Sequence, residues 1–160
     1  WPAIRLYLAN NISIYKQTKK IKKTLIHEKK WGIKKIKRYK NFKNQVNLRI
    51  NKLRNIINTK HKQGFKLGCY TASSKGNTLL NCLKIKKDII SLVSENNKKK
   101  IGKFTPGTHI KIVNDQKFIK EKIQYALLLS WNYKNFFMKR SNYIKNGGKF
   151  IVPFPKTHIT

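Results

Sequence analysis

The stretch FKLGCYTASSKGNTLLNCL, residues 65–83, decides the fold. Its first six residues form a short apolar run of strand length, and its last seven carry Leu79, Leu80 and Leu83 at helical spacing. Between them stand small polar residues and Gly76, the composition of a tight connection. The order is therefore strand, loop, helix.

Downstream the alternation repeats. Short apolar runs predict strands over 65–70, 89–94, 109–113, 125–129 and 149–152, with helices near 77–83, 115–121 and 132–146 and a lysine-rich loop over 95–107. Right-handed crossovers make such a series an α/β fold, a Rossmann-like parallel sheet with flanking helices. Sheets of this kind bind ligands beyond the carboxyl ends of their strands, which directs attention to the loops 71–76, 95–108 and 130–132.

Upstream the pattern changes. Over 2–8, Ile4, Leu6 and Leu8 alternate with Arg5 and Tyr7, the period-two pattern of a strand. After a polar break, Ile14, Thr18, Ile21 and Leu25 mark an amphipathic helix ending near Gly32. Tyr39, Phe42, Val46, Ile50, Leu53 and Ile57 mark a second, with Gly64 as its stop and the stripe as its packing side. The expected divisions are 1–12, holding a strand; 13–64, two helices; and 65–160, the Rossmann-like domain. The first residue is Trp1, so the chain is expected to begin inside a longer protein.

The formal net charge is +33, from 38 Lys+Arg against 5 Asp+Glu. Most of the cations are lysines scattered among asparagines and isoleucines. Arginine, the residue suited to bidentate phosphate and guanine recognition, occurs only at positions 5, 38, 49, 54 and 140. Compositional drift accounts for this better than a selected nucleic-acid surface, so nucleic acid is expected to bind only nonspecifically. No apolar run approaches the roughly 20 residues of a membrane span, so no membrane partner is expected. Cys69 and Cys82 form no C-x-x-C pair and have no ligand-spaced histidines, which fits a reducing, cytoplasmic setting and no metal site.

Judged on residues alone, the loop at 71–77 reads equally as an ordinary βα turn or as an anion site, where a helix N-terminus and the Lys75 charge meet a phosphate beside Gly76. At this loop the sequence becomes recognisable. YTASSKGNTLLN at 70–81 resembles the opening of the C-terminal domain of SAM-dependent sugar C-methyltransferases. GKFTPGTHI at 102–110, LLLSWN at 127–132 and GGKFIVPFP at 147–155 are similar to that domain's later signatures, in the same order. IRLYL at 4–8 resembles the last strand of the family's catalytic domain and the helices to Gly64 resemble its linker, which implies 1–12 as the last strand of a truncated domain and 13–64 as a helical linker.

The resemblance implies a three-part enzyme, with a cysteine-ligated zinc module, a central SAM-binding domain holding the catalytic base, and this domain beside the sugar-nucleotide site. Both SAM and zinc would then be held by the parts absent here, with no cofactor in this chain. It further implies transfer of a methyl group to a carbon of a nucleotide-linked keto-deoxysugar, with no catalytic residue among these 160. Lys75, Gly76, Asn77, Thr78, His109, Trp131 and Asn132 stand as the substrate- or nucleotide-binding candidates, although Trp131 also reads as packing and His109 as a turn histidine. Three positions depart from the family pattern. Thr71 replaces a usual glycine, so its turn is expected to avoid the backbone angles that only glycine tolerates. Ser130 and Lys111 replace usual prolines. A basic nucleic-acid-binding module, with Trp31, Tyr39 and Phe42 among lysines, and a decayed noncatalytic remnant are the alternatives.

Overall fold

A computed structural model describes residues 5–16, 18–85 and 87–160. The chain divides into two compact units, Trp1–Asn44 and Gln45–Thr160.

In the first unit, helix α1 is Lys19–Trp31. It stops at Gly32, whose φ of 87° is the left-handed turn that glycine adopts without steric cost and whose N–H closes on the carbonyls of Glu28 and Lys29. Ile14 and Thr18, expected inside this helix, precede it. Ile21 and Leu25 form an apolar stripe that is exposed. The strand expected over 2–8 does not form from Arg5 to Leu8, and residues 2–4 lie outside the described residues. Alternation gives a segment two faces, but a strand also needs a neighbour for its backbone hydrogen bonds, and among the described residues 5–12 pair with none.

Helix α2, Ile36–Lys62, crosses the division. Its apolar stripe behaves differently along its length. Tyr39 and Phe42 are exposed, whereas Leu53 and Ile57 are buried and Ile50 packs beside them. Arg54 donates to the carbonyls of Leu83 and Cys82 at 3.0 and 3.3 Å, and Arg49 to that of Pro155 at 3.2 Å. The carboxyl half of α2 is thus built into the α/β core rather than passing beside it.

The rest of the second unit is β1 (Leu67–Tyr70), α3 (Ser74–Leu83), β2 (Ile90–Ser94), β3 (Lys111–Val113), α4 (Asp115–Lys120), β4 (Tyr125–Leu128), a 3-10 turn (Trp131–Tyr133), α5 (Lys134–Arg140), α6 (Asn142–Lys145), β5 (Lys149–Val152) and β6 (His158–Ile159). The sheet order is β3-β2-β1-β4-β5-β6, with β1 to β5 parallel and β6 antiparallel to β5. This confirms the α/β Rossmann-like reading.

Both faces of the sheet are covered. Leu67, Cys69, Leu127 and Ile151 face one core with α3 and the buried part of α2, while Tyr70, Leu128, Phe150 and Val152 face the other with Phe118 of α4 and Tyr143 of α6. Double burial explains why these strands read as unbroken apolar runs rather than alternating ones.

Two differences from the sequence expectation have local causes. The single helix expected over 132–146 is three short pieces, because Ser141 is extended and its hydroxyl caps α6 at Ile144 N while donating to the Tyr70 hydroxyl at 3.1 Å. Helix α3 begins earlier than expected, since Ser73 accepts a hydrogen bond from Gly76 N at 3.1 Å as its N-cap. Strand β6 has two residues, too few for any periodicity to announce it.

Candidate functional site

The strand order reverses between β1 and β4, and the loops after these strands face each other at the carboxyl rim. The crevice between them is stitched shut. Leu129 N donates to Tyr70 O at 3.0 Å, Ser73 Oγ to Leu129 O at 3.0 Å, and Thr71 Oγ1 to Ser130 Oγ at 2.8 Å. Gly76 makes the approach possible, since a Cβ there would lie 2.3 Å from Leu129 Cβ.

Thr71 corrects an expectation. Its φ is +70°, the left-handed region that a β-branched residue enters at a cost of roughly 1–2 kcal/mol. The turn therefore keeps the angle that suits glycine and offsets the strain elsewhere. Thr71 N donates to Ser94 O at 2.8 Å, and its hydroxyl spans to Ser130. Thr71 and Ser130, on the loops after β1 and β4, thus touch one another.

Open space lies on the other side of the first loop. A cavity of about 360 Å³ is bounded by Ser73, Ser74 and Asn77 of the β1–α3 connection and by Lys99, Lys100, Lys103, Phe104 and Pro106 of the β2–β3 connection. The long connection is held in place at both ends. Gly102 N and Ile112 N bond to Ile112 O and Lys103 O, pairing it with β3, and Asn81 Nδ2 donates to Pro106 O at 3.2 Å.

Glu95, the first residue past β2, fixes the near wall. Its Oε2 accepts from Ala72 N at 3.0 Å and lies 3.4 Å from Lys100 Nζ; its Oε1 accepts from Asn96 N and Asn97 N at 2.9 and 3.1 Å. Lys100 Nζ also donates to Ala72 O at 2.8 Å. Burial pushes the Glu95 carboxyl up, but the N–H groups of Asn97, Ala72 and Asn96 and the Lys100 charge outweigh it and hold the acid below its ordinary range.

The sequence candidates separate in space. Asn77 lines the cavity, with a buried Oδ1 that has no partner among the described residues, whereas Gly76 is buried against Leu129 and is not part of the wall. Lys75 and Thr78 are exposed on the first turn of α3. His109 is exposed at φ +54° and stacks on Phe104, ring centres 5.9 Å apart, so it adjoins the cavity through that ring. Trp131 packs edge-on against Phe154 at 5.2 Å and touches both cores, and Asn132 is exposed beside it on the β4 loop. Glu95, Lys99, Lys100, Lys103 and Phe104 were not among the candidates. A usable signal existed for Glu95, an acid directly after the second strand in a chain with only five.

The first βα turn lacks the G-x-G-x-x-G spacing, and the acid at the end of β2, which in dinucleotide folds takes a ribose, is already bonded within the chain. Among the described residues, no three His, Cys, Asp or Glu side chains converge as a metal site requires, and no helix is long and apolar enough to cross a membrane.

The sequence model of the family described as C-methyltransferase C-terminal domain matches residues 3–155. A curated relative, C-methyltransferase NovU of Streptomyces niveus, is 28% identical over 136 residues, covering 84% of this chain and 32% of its own length. The chain thus spans about a third of the relative it matches.

Proposed function

We propose, from the premise that this chain belongs to the C-methyltransferase C-terminal domain family, that it forms the substrate side of a SAM-dependent C-methyltransferase acting on a nucleotide-linked keto-deoxysugar. The observation that carries this reading is the cavity at the carboxyl rim. Its volume, about 360 Å³, lies in the range of small-ligand sites, roughly 300–1,000 Å³. Its wall combines three lysines and the Ser74 hydroxyl, suited to a diphosphate, with Phe104 and Pro106, suited to a ring.

The chain's own part is to bind and orient. Lys75, Gly76, Asn77 and Thr78 begin the helix that forms one wall, His109 backs the Phe104 ring, and Trp131 and Asn132 set the β4 loop. Neither general base nor cofactor site is assigned to these residues, so the fragment alone is not expected to turn over substrate. SAM, and zinc, belong in this reading to parts of a longer enzyme. Cys69 and Cys82 are both unpaired, which suits the cytoplasm.

Calorimetry tests the reading. Thymidine-diphosphate-linked sugar should bind the chain saturably at one site, with free sugar far weaker and Lys75→Ala reducing the affinity. Heat that never saturates, falls away with salt and is matched by any polyanion would instead mark nonspecific binding through the chain's scattered lysines and sink the proposal.

A further inference from the structure

The three lysines on the cavity differ in how they are held. Lys99 and Lys103 are exposed, whereas Lys100 is half-buried and tied by Nζ to Ala72 O at 2.8 Å and Glu95 Oε2 at 3.4 Å. An ammonium carries three N–H donors, so two partners leave one hydrogen for a ligand. A free lysine gives up roughly 1.5–2 kcal/mol of rotamer freedom when a ligand immobilises it, and Lys100 has already lost much of that freedom.

Glu95 is what fixes it. The carboxylate takes four contacts, three of them backbone N–H groups, so it cannot swing away without exposing those donors. Because it also holds Ala72 N, one side chain locks both the lysine and the peptide of the wall beneath it.

We propose that Lys100 is the cation that meets a diphosphate group in this cavity and that Glu95 is its positioning residue. The inference rests on the cavity being the ligand site. It carries an unusual sign. By charge alone, Glu95 repels an anion and its neutralisation would tighten binding; as a positioning residue, its neutralisation weakens binding.

The experiment is calorimetric titration of the full chain with inorganic pyrophosphate, and separately with thymidine diphosphate, at 0.15 and 0.5 M NaCl. Lys100→Gln should lose about tenfold or more in affinity, the equivalent of one charge-assisted hydrogen bond. Glu95→Gln should lose a comparable factor at both salt concentrations, and the double variant no more than the worse single variant. Equal losses with both probes assign the contact to the diphosphate itself; losses with thymidine diphosphate alone assign it to the intact nucleotide. Amide exchange at Ala72 should quicken in Glu95→Gln while core amides stay protected, which separates positioning from unfolding. If that variant does not fold, Lys100→Gln, whose side chain is 44% exposed, carries the test. Unchanged or tighter binding by Glu95→Gln, or losses that multiply in the double variant, would overturn the pairing while leaving the cavity reading intact. No saturable binding by the wild-type chain would overturn both.

Discussion

Replacing Ser130 by alanine should destabilise the protein by about 1–2 kcal/mol, because Thr71 Oγ1 then loses its 2.8 Å partner in a part-buried setting while its backbone strain persists. Replacing Thr71 by glycine should do much less. Relief of the left-handed strain gains roughly 1–2 kcal/mol, the lost hydrogen bond costs about 1, and glycine's freedom in the unfolded chain costs about 0.4–1, for a net change near zero. Thr71→Ala keeps the strained φ of +70° and loses the bond, so it should fall about 1 kcal/mol below Thr71→Gly. In the Thr71→Gly background, Ser130→Ala has no bond left to break and should be nearly silent, giving a coupling of about 1–2 kcal/mol between the two sites. Urea unfolding followed by tryptophan fluorescence and circular dichroism measures all five proteins, with an unchanged denaturant slope as the check on comparability. If Ser130→Ala costs the same with threonine or glycine at 71, the hydroxyl bridge does not offset the turn and the reasoning is refuted.

Gly76→Ala places a methyl 2.3 Å from Leu129 Cβ, so the two loops must part; a loss of about 1–3 kcal/mol in unfolding free energy is expected. Leu53→Ala should cost about 2–5 kcal/mol, whereas Phe42→Ala on the same stripe, 65% exposed, should stay within about 0.5, both read from thermal or urea midpoints. Glu95 titrates below its ordinary value of 4.5, so it binds fewer protons folded than unfolded; its contribution is complete above pH 4.5 and drains away as pH falls toward the lowered folded value. Stability measured from pH 6 down to 3 should therefore drop more steeply in the wild type than in Glu95→Gln, and parallel curves would contradict this.

The parts of the fold that could be read from sequence are those whose cause is local. Apolar runs of strand length gave β1 to β5, and the leucines at 79, 80 and 83 gave α3, because periodicity records which side of each element meets the core. The parallel sheet followed from the alternation and from the handedness of its crossovers. Local pattern misled where a partner decides the outcome. The segment at 5–8 alternates like a strand yet pairs with none among the described residues, and the stripe of α2 is half core and half surface although its spacing never changes.

The candidate site divides the same way. Its position at the carboxyl rim, and Asn77 on its wall, follow from the strand-loop-helix stretch alone. Its chemistry does not. Glu95 reaches Ala72 across 23 residues, Thr71 reaches Ser130 across 59, and each contact exists only once β2 and β4 have been laid on either side of β1. Sequence fixes the period and chemical character of a segment through interactions a few residues long; which acid holds which lysine, and which crevice stays open, is decided by distances that only the closed sheet brings into being.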